Sequence, residues 1–173
     1  MSKVTNVVMA GIGGQGVLKA SDILCESAFR AGYDVKKSEI HGMSQRGGSV
    51  ASDVRFGDNV LSPMVPDKEA DYLVILESTQ VDANVHRLRE GGTLLTPETL
   101  LEGVGGFDDV DAMLKSKECP VSSRNLNVAM LGLLSTYFDI PEEAWLEAVF
   151  ANLPEKVQEQ NREVFAFGRK AAG

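Results

Sequence analysis

The sequence predicts an α/β protein with a mostly parallel sheet flanked by helices and a helical C-terminal third. Three observations predict this class. An apolar run near the N-terminus ends at a cluster of glycines, after which apolar residues recur at helical spacing. Further along, two apolar runs enclose a helical stretch, which is the order of a parallel crossover. The length of 173 residues is typical of one domain, which we take to span residues 1–173.

The elements of the first half follow from apolar periodicity and from glycines. Residues 7–10 form an apolar run suited to a buried strand, and the helical pattern after it stops at Gly32. Lys36 and Lys37 make the next strand polar, so we expect that strand near a sheet edge. The predicted elements are strands over 33–40, 50–56 and 60–61, the last ended by Pro63, and a helix over 17–31.

The second half contains the clearest strand and most of the helices. Residues 72–76 predict a central strand, followed by a helix over 80–89 that the Gly91-Gly92 pair ends. Pro141 with the acids after it is typical of a helix beginning, and Trp145 lies on the expected core side of that helix. The other predicted elements are a strand over 93–96, a short helix over 110–115, and helices over 128–138 and 155–168.

Charge and composition exclude several classes of function. The 25 acidic residues outnumber the 17 basic ones, and the resulting net charge of −8 disfavours binding to nucleic acid or to an anionic membrane surface. No apolar run approaches the roughly 20 residues of a membrane span. The polar first residues predict no signal peptide. Cys25 and Cys119 lie too far apart in sequence for a CxxC pair, so we expect reduced thiols, no metal and a cytoplasmic location.

A glycine turn is the first candidate site. Gly11, Gly13 and Gly16 form a GxGxxG pattern between the first strand and the first helix, as in Rossmann-like folds. Glycine lets the backbone approach a ligand, and the helix N-terminus offers N–H groups to an anion. Glu39 follows at about the separation of a ribose-binding acid. These residues suit either a nucleotide site or a tight turn that binds nothing.

The second candidate site is the loop over residues 39–49. It contains a histidine, an arginine, a glutamine, two serines and three glycines between two predicted strands. Arg46 can clamp an anion, such as a coenzyme phosphate or a partner carboxylate, or it can pair with Glu39. His41 can carry a proton or only hydrogen-bond, and Met43 can contact a partner or fill the core. The alternative for the whole loop is a polar turn that bonds its own backbone.

Together, the two glycine-bearing motifs resemble one family. The motifs are GIGGQGV at residues 11–17 and SEIHGMSQRGGSV at 38–50, followed by Arg55-Phe56-Gly57 and Ser62-Pro63. In these segments the chain is similar to the gamma subunit or domain of the 2-oxoacid:ferredoxin oxidoreductases. Within that family the similarity is greatest to the small subunits of the indolepyruvate enzymes, and it covers nearly the whole chain.

The resemblance implies a function performed within a complex. Such enzymes oxidatively decarboxylate 2-oxo acids to acyl-CoA and pass electrons through iron–sulfur clusters to ferredoxin, while thiamine diphosphate stabilises the carbanion. This sequence has neither the GDG motif of a thiamine diphosphate–magnesium site nor a ferredoxin cysteine run. We therefore expect thiamine diphosphate, magnesium and the clusters in a large alpha subunit. Coenzyme A is expected as co-substrate, and no cofactor is expected to bind tightly to this chain.

Three functions follow as alternatives. The first is the accessory subunit of an enzyme that oxidises aryl 2-oxo acids, and the second is the gamma subunit of a pyruvate, 2-ketoisovalerate or 2-oxoglutarate enzyme. The third is a stand-alone nucleotide-binding module. For the first two we expect an isolated chain that is inactive and capable of self-association through an uncovered docking face. The residues expected to bind a cofactor or the partner subunit are Gly11, Gly13, Gly14, Gln15, Gly16, Glu39, His41, Gly42, Met43, Gln45, Arg46, Gly47 and Gly48.

Overall fold

A mixed five-stranded sheet lies at the centre of the protein. The computed structural model describes residues 3–41 and 48–173, and of His41 only the backbone. Across the described residues the strand order is β2–β3–β1–β4–β5. The strands are β1 Val4–Ile12, β2 Asp34–His41, β3 Ser49–Gly57, β4 Ala70–Ile75 and β5 Leu88–Leu95.

The strand pairing confirms the α/β class but corrects the expected sheet. β4 pairs in parallel with β5, as the strand–helix–strand order predicts, and it also pairs in parallel with β1. β3, however, is antiparallel to both β1 and β2, so the sheet is half antiparallel rather than mostly parallel. The physical reason is the short connection over residues 42–48, because parallel strands need a much longer crossover. β2 is an edge strand, as its lysines predict.

Helices cover one face of the sheet and enclose the main core. In the described residues those on this face are α1 Val17–Arg30, α3 Pro97–Val104, α4 Val110–Lys115, α5 Leu126–Ser135, α6 Glu142–Asn152 and α7 Glu155–Ala171. The short helix α2 Val81–Asn84 lies on the opposite face. All ten residues of α5 are buried, which makes it the central helix of this layer. Trp145 and Phe165 are fully buried beside it, with ring centroids 5.8 Å apart.

The opposite face of the sheet has a smaller core. Val8 and Leu73 pack there against Val65, which belongs to the irregular segment after β3. The fully buried Asp53 carboxylate accepts two hydrogen bonds from Arg87, each 2.7 Å long, and one from the Val65 N–H at 3.0 Å. Arg87 also donates to the Val65 carbonyl at 2.9 Å. This buried ion pair holds the irregular segment and the residues before β5 against the sheet.

Two predicted elements are wrong. Val60 and Leu61 form no strand, because the Val60 N–H donates to the Asp34 side chain at 2.7 Å instead of to a strand neighbour. The helix predicted over 80–89 is broken into the 3-10 turn Ser78–Gln80, the short α2 and the 3-10 turn Val85–Arg87.

Gly91 and Gly92 lie inside β5 rather than at a helix end. A Cβ on Gly92 would lie 3.1 Å from the Ala70 carbonyl oxygen, so this glycine permits a close approach between β5 and β4. The elements predicted from the sequence do not include α3, which begins at a capping box formed by Thr96 and Thr99.

Candidate functional site

The two glycine-bearing motifs meet at one edge of the sheet. β1 and β3 are antiparallel neighbours with Ile12 opposite Ser49, so the end of β1 lies beside the start of β3. The Gly13 N–H donates to the Gly48 carbonyl at 2.9 Å and joins the two motifs directly. β4, parallel to β1, also ends at this edge. The fold therefore brings segments that are distant in sequence onto one surface.

Gln15 closes the glycine turn. Its Oε1 accepts a hydrogen bond from the Ile12 N–H at 2.9 Å, and its Nε2 donates to Glu77 Oε2 at 3.1 Å. The turn is thereby tied to Glu77, two residues after the end of β4. A Cβ on Gly11 would lie 2.7 Å from Gln15 Oε1 and 2.9 Å from Val17 Cγ2, so Gly11 makes room for this arrangement.

The remaining glycines of the turn differ in their surroundings. Gly16 has φ 81°, and its carbonyl accepts a hydrogen bond from Asn127 Nδ2 at 3.2 Å. A Cβ on Gly16 would meet that same nitrogen at 2.5 Å. Gly13 and Gly14 are exposed, and a Cβ on Gly14 would have no neighbour within 4 Å. Gly11 and Gly16 thus serve packing, whereas Gly13 and Gly14 present backbone that a ligand or a partner can approach.

The position of Glu39 does not fit a ribose-binding acid. In a dinucleotide-binding fold the acidic residue follows the strand next to β1, whereas here β3 lies between β1 and β2. Glu39 forms an ion pair with Lys37, which also pairs with Asp22 on α1. Partial burial lowers the pKa of Lys37, but its hydrogen bonds to the two carboxylates outweigh this effect and raise the pKa overall. Glu39 therefore belongs to an ion-pair cluster on the edge strand β2.

A cleft of about 450 Å³ opens beside the glycine turn, and we call it the turn cleft. Its polar lining consists of the turn with Glu77, Ser78, Ser123 and Arg124, and Leu114 and Leu126 contribute to its apolar lining. The described residues that line it include no histidine or cysteine. The arrangement is suited to contact with a ligand or partner rather than to nucleophilic or acid–base chemistry of its own.

Ser78 links the turn cleft to a second carboxylate. Its hydroxyl is hydrogen-bonded to both carboxylate oxygens of Glu98, at 2.8 and 3.0 Å. Partial burial raises the pKa of Glu98, but hydrogen bonds from Ser78, the backbone and Thr96 lower it overall. The ionised Glu98 thus adds negative charge next to the turn cleft, which Glu77 already lines.

A groove of about 640 Å³ with a mixed polar and apolar lining lies on the opposite face of the sheet, next to the described ends of the second loop. Its lining includes Ile40 and Val50 from β2 and β3, and Met64 and Pro66 from the segment after β3. Ile40 and Met64 are 45% and 56% exposed, which is high for large apolar side chains. We call this surface the Met64 groove. It places exposed apolar area at the same edge as the glycine turn.

Several candidate residues lie outside the described residues, so their predicted roles stay predictions. These are the side chain of His41 and the residues Gly42, Met43, Gln45, Arg46 and Gly47. The described candidates that come together at the glycine turn are Gly11, Gly13, Gly14, Gln15, Gly16 and Gly48. Arg124 and Asn127 are not among the site residues predicted from the sequence, because they reach the turn only through the fold.

The two cysteines are not poised as nucleophiles. Burial raises the pKa of Cys25 to about 12 and also raises the pKa of Cys119. Among the residues that the structure describes, no group of three or more His, Cys, Asp or Glu side chains could hold a metal ion. Within the same part of the chain, no helix is long and apolar enough to cross a membrane.

Known proteins match the chain from end to end. Residues 6–171 match the family described as pyruvate ferredoxin/flavodoxin oxidoreductase. The indolepyruvate oxidoreductase subunit IorB of Thermococcus kodakarensis is 33% identical over 98% of this chain and 96% of its own length. The subunit IorB of Pyrococcus horikoshii is 31% identical over the same shares.

A solved structure shows the same architecture. The gamma subunit of keto/oxoacid ferredoxin oxidoreductase from Geobacter sulfurreducens superposes with a TM-score of 0.75 at 25% identity, covering 97% of this chain and 98% of that one. A fold shared over both full lengths agrees with the family match. The chain belongs to the pyruvate ferredoxin/flavodoxin oxidoreductase family.

Proposed function

We propose that this chain is the small, accessory subunit of an enzyme that oxidatively decarboxylates aryl 2-oxo acids such as indolepyruvate. The enzyme forms acyl-CoA and passes the electrons to ferredoxin. The observation that carries the proposal is the Gly13–Gly48 hydrogen bond, by which the two motifs shared with the family form one surface. The full-length similarity to IorB subunits supports the choice of substrate class.

The charges at the turn cleft support an accessory role. Glu77 lines the cleft and Glu98 is joined to it through Ser78, whereas Arg124 is the one cation among the described lining residues. Two carboxylates oppose the binding of a diphosphate by Coulomb repulsion. We therefore assign thiamine diphosphate, magnesium and the iron–sulfur clusters to the large alpha subunit. When bound there, thiamine diphosphate supplies the carbanion chemistry, while coenzyme A is the co-substrate.

This chain contributes a wall of the assembled site. The exposed backbone of Gly13 and Gly14 allows the large subunit to approach closely, and the Met64 groove adds apolar contact area next to it. Without the large subunit these surfaces are uncovered, so the isolated chain is inactive and capable of self-association. We place the assembly in the cytoplasm, in keeping with the two free thiols of the described chain.

Reconstitution tests the proposed function. The chain and a candidate large subunit with thiamine diphosphate and cluster motifs, from the same organism, are expressed together and separately, and the coenzyme A-dependent reduction of ferredoxin by indolepyruvate is measured. We expect activity only when both subunits are present. Oxidation of indolepyruvate by the isolated small chain, or full activity of the large subunit alone, would contradict the proposal.

A second candidate keeps the family and changes the substrate. The structural likeness to a keto/oxoacid enzyme's gamma subunit favours the gamma subunit of a pyruvate, 2-ketoisovalerate or 2-oxoglutarate enzyme. The same reconstituted complex distinguishes the two candidates when each of these acids is offered in parallel with indolepyruvate. A higher kcat/KM for an aliphatic acid would replace the first candidate with the second.

A further inference from the structure

We propose that a second cleft, on the other side of the glycine turn, binds an acidic segment of the large subunit; this inference rests on the proposed function. The cleft has a volume of about 570 Å³ and lies where α1, α5 and α7 meet. We call it the amide cleft because asparagine and glutamine side chains dominate its polar lining. The residues that matter for the argument are Gly16, Lys19, Arg124, Asn125, Asn127 and Asn161.

The amide cleft is positively charged in an acidic protein. Lys19 and Arg124 line it, both are exposed, and neither has an ion-pair partner among the described residues. Its described lining contains no aspartate or glutamate, although the chain carries a net charge of −8. An anionic group placed here gains attraction from both cations, although Arg124 also lines the turn cleft together with Glu77.

Two helix N-termini reinforce this charge. α1 begins after Gly16 and α5 begins after Asn125, and both of these preceding residues line the amide cleft. Neither helix has an acidic residue in its first turn, whereas α3, α4, α6 and α7 each have an acid there. At α5 the neutral Asn127 Oδ1 accepts a hydrogen bond from the Val128 N–H at 2.9 Å. The positive ends of the α1 and α5 dipoles therefore lie at the cleft without a carboxylate in either first turn.

A buried amide indicates that the ligand also brings a hydrogen-bond donor. Asn161 lines the cleft and is only 6% exposed. Its Nδ2 donates to the Val157 carbonyl at 2.9 Å, but its buried Oδ1 accepts no hydrogen bond within the described part of the chain. A buried acceptor without a partner costs free energy until a donor reaches it.

A peptide segment satisfies both demands. Its aspartate or glutamate side chains supply carboxylates for Lys19 and Arg124, and its backbone supplies N–H donors for an acceptor such as Asn161. Inorganic phosphate supplies the charge but not the alkyl stem that Val128 and Leu153, which also line the cleft, can pack against. The observations therefore favour an acidic segment of the partner over a free anion.

Site-specific crosslinking in the assembled complex tests this inference. A photo-crosslinking amino acid replaces Lys19, and in a control protein it replaces the exposed Lys170 at the far end of α7. Mass spectrometry then identifies the crosslinked peptide. We expect a crosslink from position 19 to a segment of the large subunit rich in aspartate and glutamate, and none to that segment from position 170.

The outcomes separate this inference from the proposed function. If the subunits assemble but position 19 gives no crosslink to the large subunit, or a crosslink to a non-acidic segment, the inference is wrong and the proposed function stands. If the subunits do not assemble at all, the proposed function fails and the inference fails with it.

Charge reversal provides a quantitative second test. The double variant Lys19→Glu/Arg124→Glu should raise the Kd for the large subunit about tenfold or more at low salt and reduce its salt dependence. The control Lys117→Glu/Lys170→Glu changes charge equally at exposed sites away from the cleft and should leave the Kd within about twofold. Equal Kd values for the two variants would overturn the inference. So would saturable binding of inorganic phosphate or ATP to the isolated chain that Lys19→Glu abolishes.

Discussion

Gly14 and Gly16 share a left-handed backbone but differ in what surrounds them. Their φ angles are 93° and 81°, a region that favours glycine over residues with a Cβ. Space is open around Gly14, whereas Asn127 lies against Gly16. The GxGxxG pattern includes Gly16 but not Gly14, and the structure distinguishes a packing role for Gly16 from an exposed position for Gly14.

This difference predicts unequal effects of alanine on stability. Gly16→Ala combines backbone strain with a clash against Asn127, and we expect the free energy of unfolding to fall by about 2–4 kcal/mol. Gly14→Ala suffers the strain alone and should cost about 1–2 kcal/mol. Denaturant unfolding followed by circular dichroism measures both. Equal losses for the two variants would show that Asn127 does not restrict a side chain at position 16.

Cys25 gives a prediction about pH. Burial raises the pKa of its thiol from 9.0 to about 12, and the thiolate is the form that alkylating reagents attack. In a Cys119→Ala background at pH 8, iodoacetamide should modify Cys25 in the folded protein roughly a hundredfold or more slowly than in the unfolded protein.

The same shift makes stability depend on pH. Because the folded pKa of Cys25 is above the unfolded one, its contribution to stability is full below pH 9.0 and is lost as pH rises towards about 12. Cys25→Ala should weaken this alkaline loss in denaturant titrations. In the alkylation experiment, fast modification of folded Cys25 at pH 8 would contradict the rise in its pKa caused by burial.

At the scale of elements, sequence patterns succeed where local and tertiary preferences agree. The short helix α4 has the predicted bounds, because its apolar positions and its Asp109 cap favour the same structure. The helix predicted over 80–89 fails because tertiary contacts decide that region. Arg87 turns inward to Asp53, and Leu88 already begins β5. The periodicity of such a short stretch does not reveal a partner that is distant in sequence.

Glycines at the crossing of α5 and α7 determine how closely these helices pack. A Cβ on Gly168 would lie 1.9 Å from the Ala129 carbonyl oxygen, and one on Gly132 would lie 2.2 Å from the Phe165 carbonyl oxygen. Neither backbone can move away without separating the two helices. The sequence predicts both helices but not this contact, since glycine inside a helix ordinarily signals only low propensity.

Gly168→Ala is therefore expected to destabilise the protein despite the better helix propensity of alanine. Overpacking against a backbone carbonyl should lower the free energy of unfolding by about 1–3 kcal/mol or more. Lys170→Ala, at an exposed position on the same helix, should change it by less than about 0.5 kcal/mol. Thermal unfolding compares the two variants. A stabilised Gly168→Ala protein would contradict the close helix crossing.

Across the whole molecule, the two faces of the sheet are covered unequally. Six of the described helices contribute to the face with the main core, whereas the other face has a few apolar residues and the Asp53–Arg87 pair. The sequence predicts the fold class because apolar periodicity records the main core. It does not predict the buried pair, since a single aspartate in an alternating strand reads as a solvent-facing residue.

The buried pair gives a prediction for the molecule as a whole. Arg87→Met leaves the Asp53 carboxylate buried without its cation, and the free energy of unfolding should fall by about 3–5 kcal/mol. The double variant Asp53→Leu/Arg87→Met removes both charges and should recover most of this loss. Denaturant unfolding measures both proteins. A double variant less stable than Arg87→Met would show that the loss in Arg87→Met does not come from an unpaired Asp53 carboxylate.

The central claim is that the edge where the two glycine motifs meet is the face that docks onto the large subunit. Hydrogen–deuterium exchange of the chain, alone and in the assembled complex, tests it most directly. We predict that assembly slows exchange of the backbone amides over residues 12–16 and 76–80 and leaves the C-terminal turn of α7 around the exposed Lys170 unchanged. Slowed exchange confined to other surfaces, with residues 12–16 unaffected in the complex, would contradict the claim.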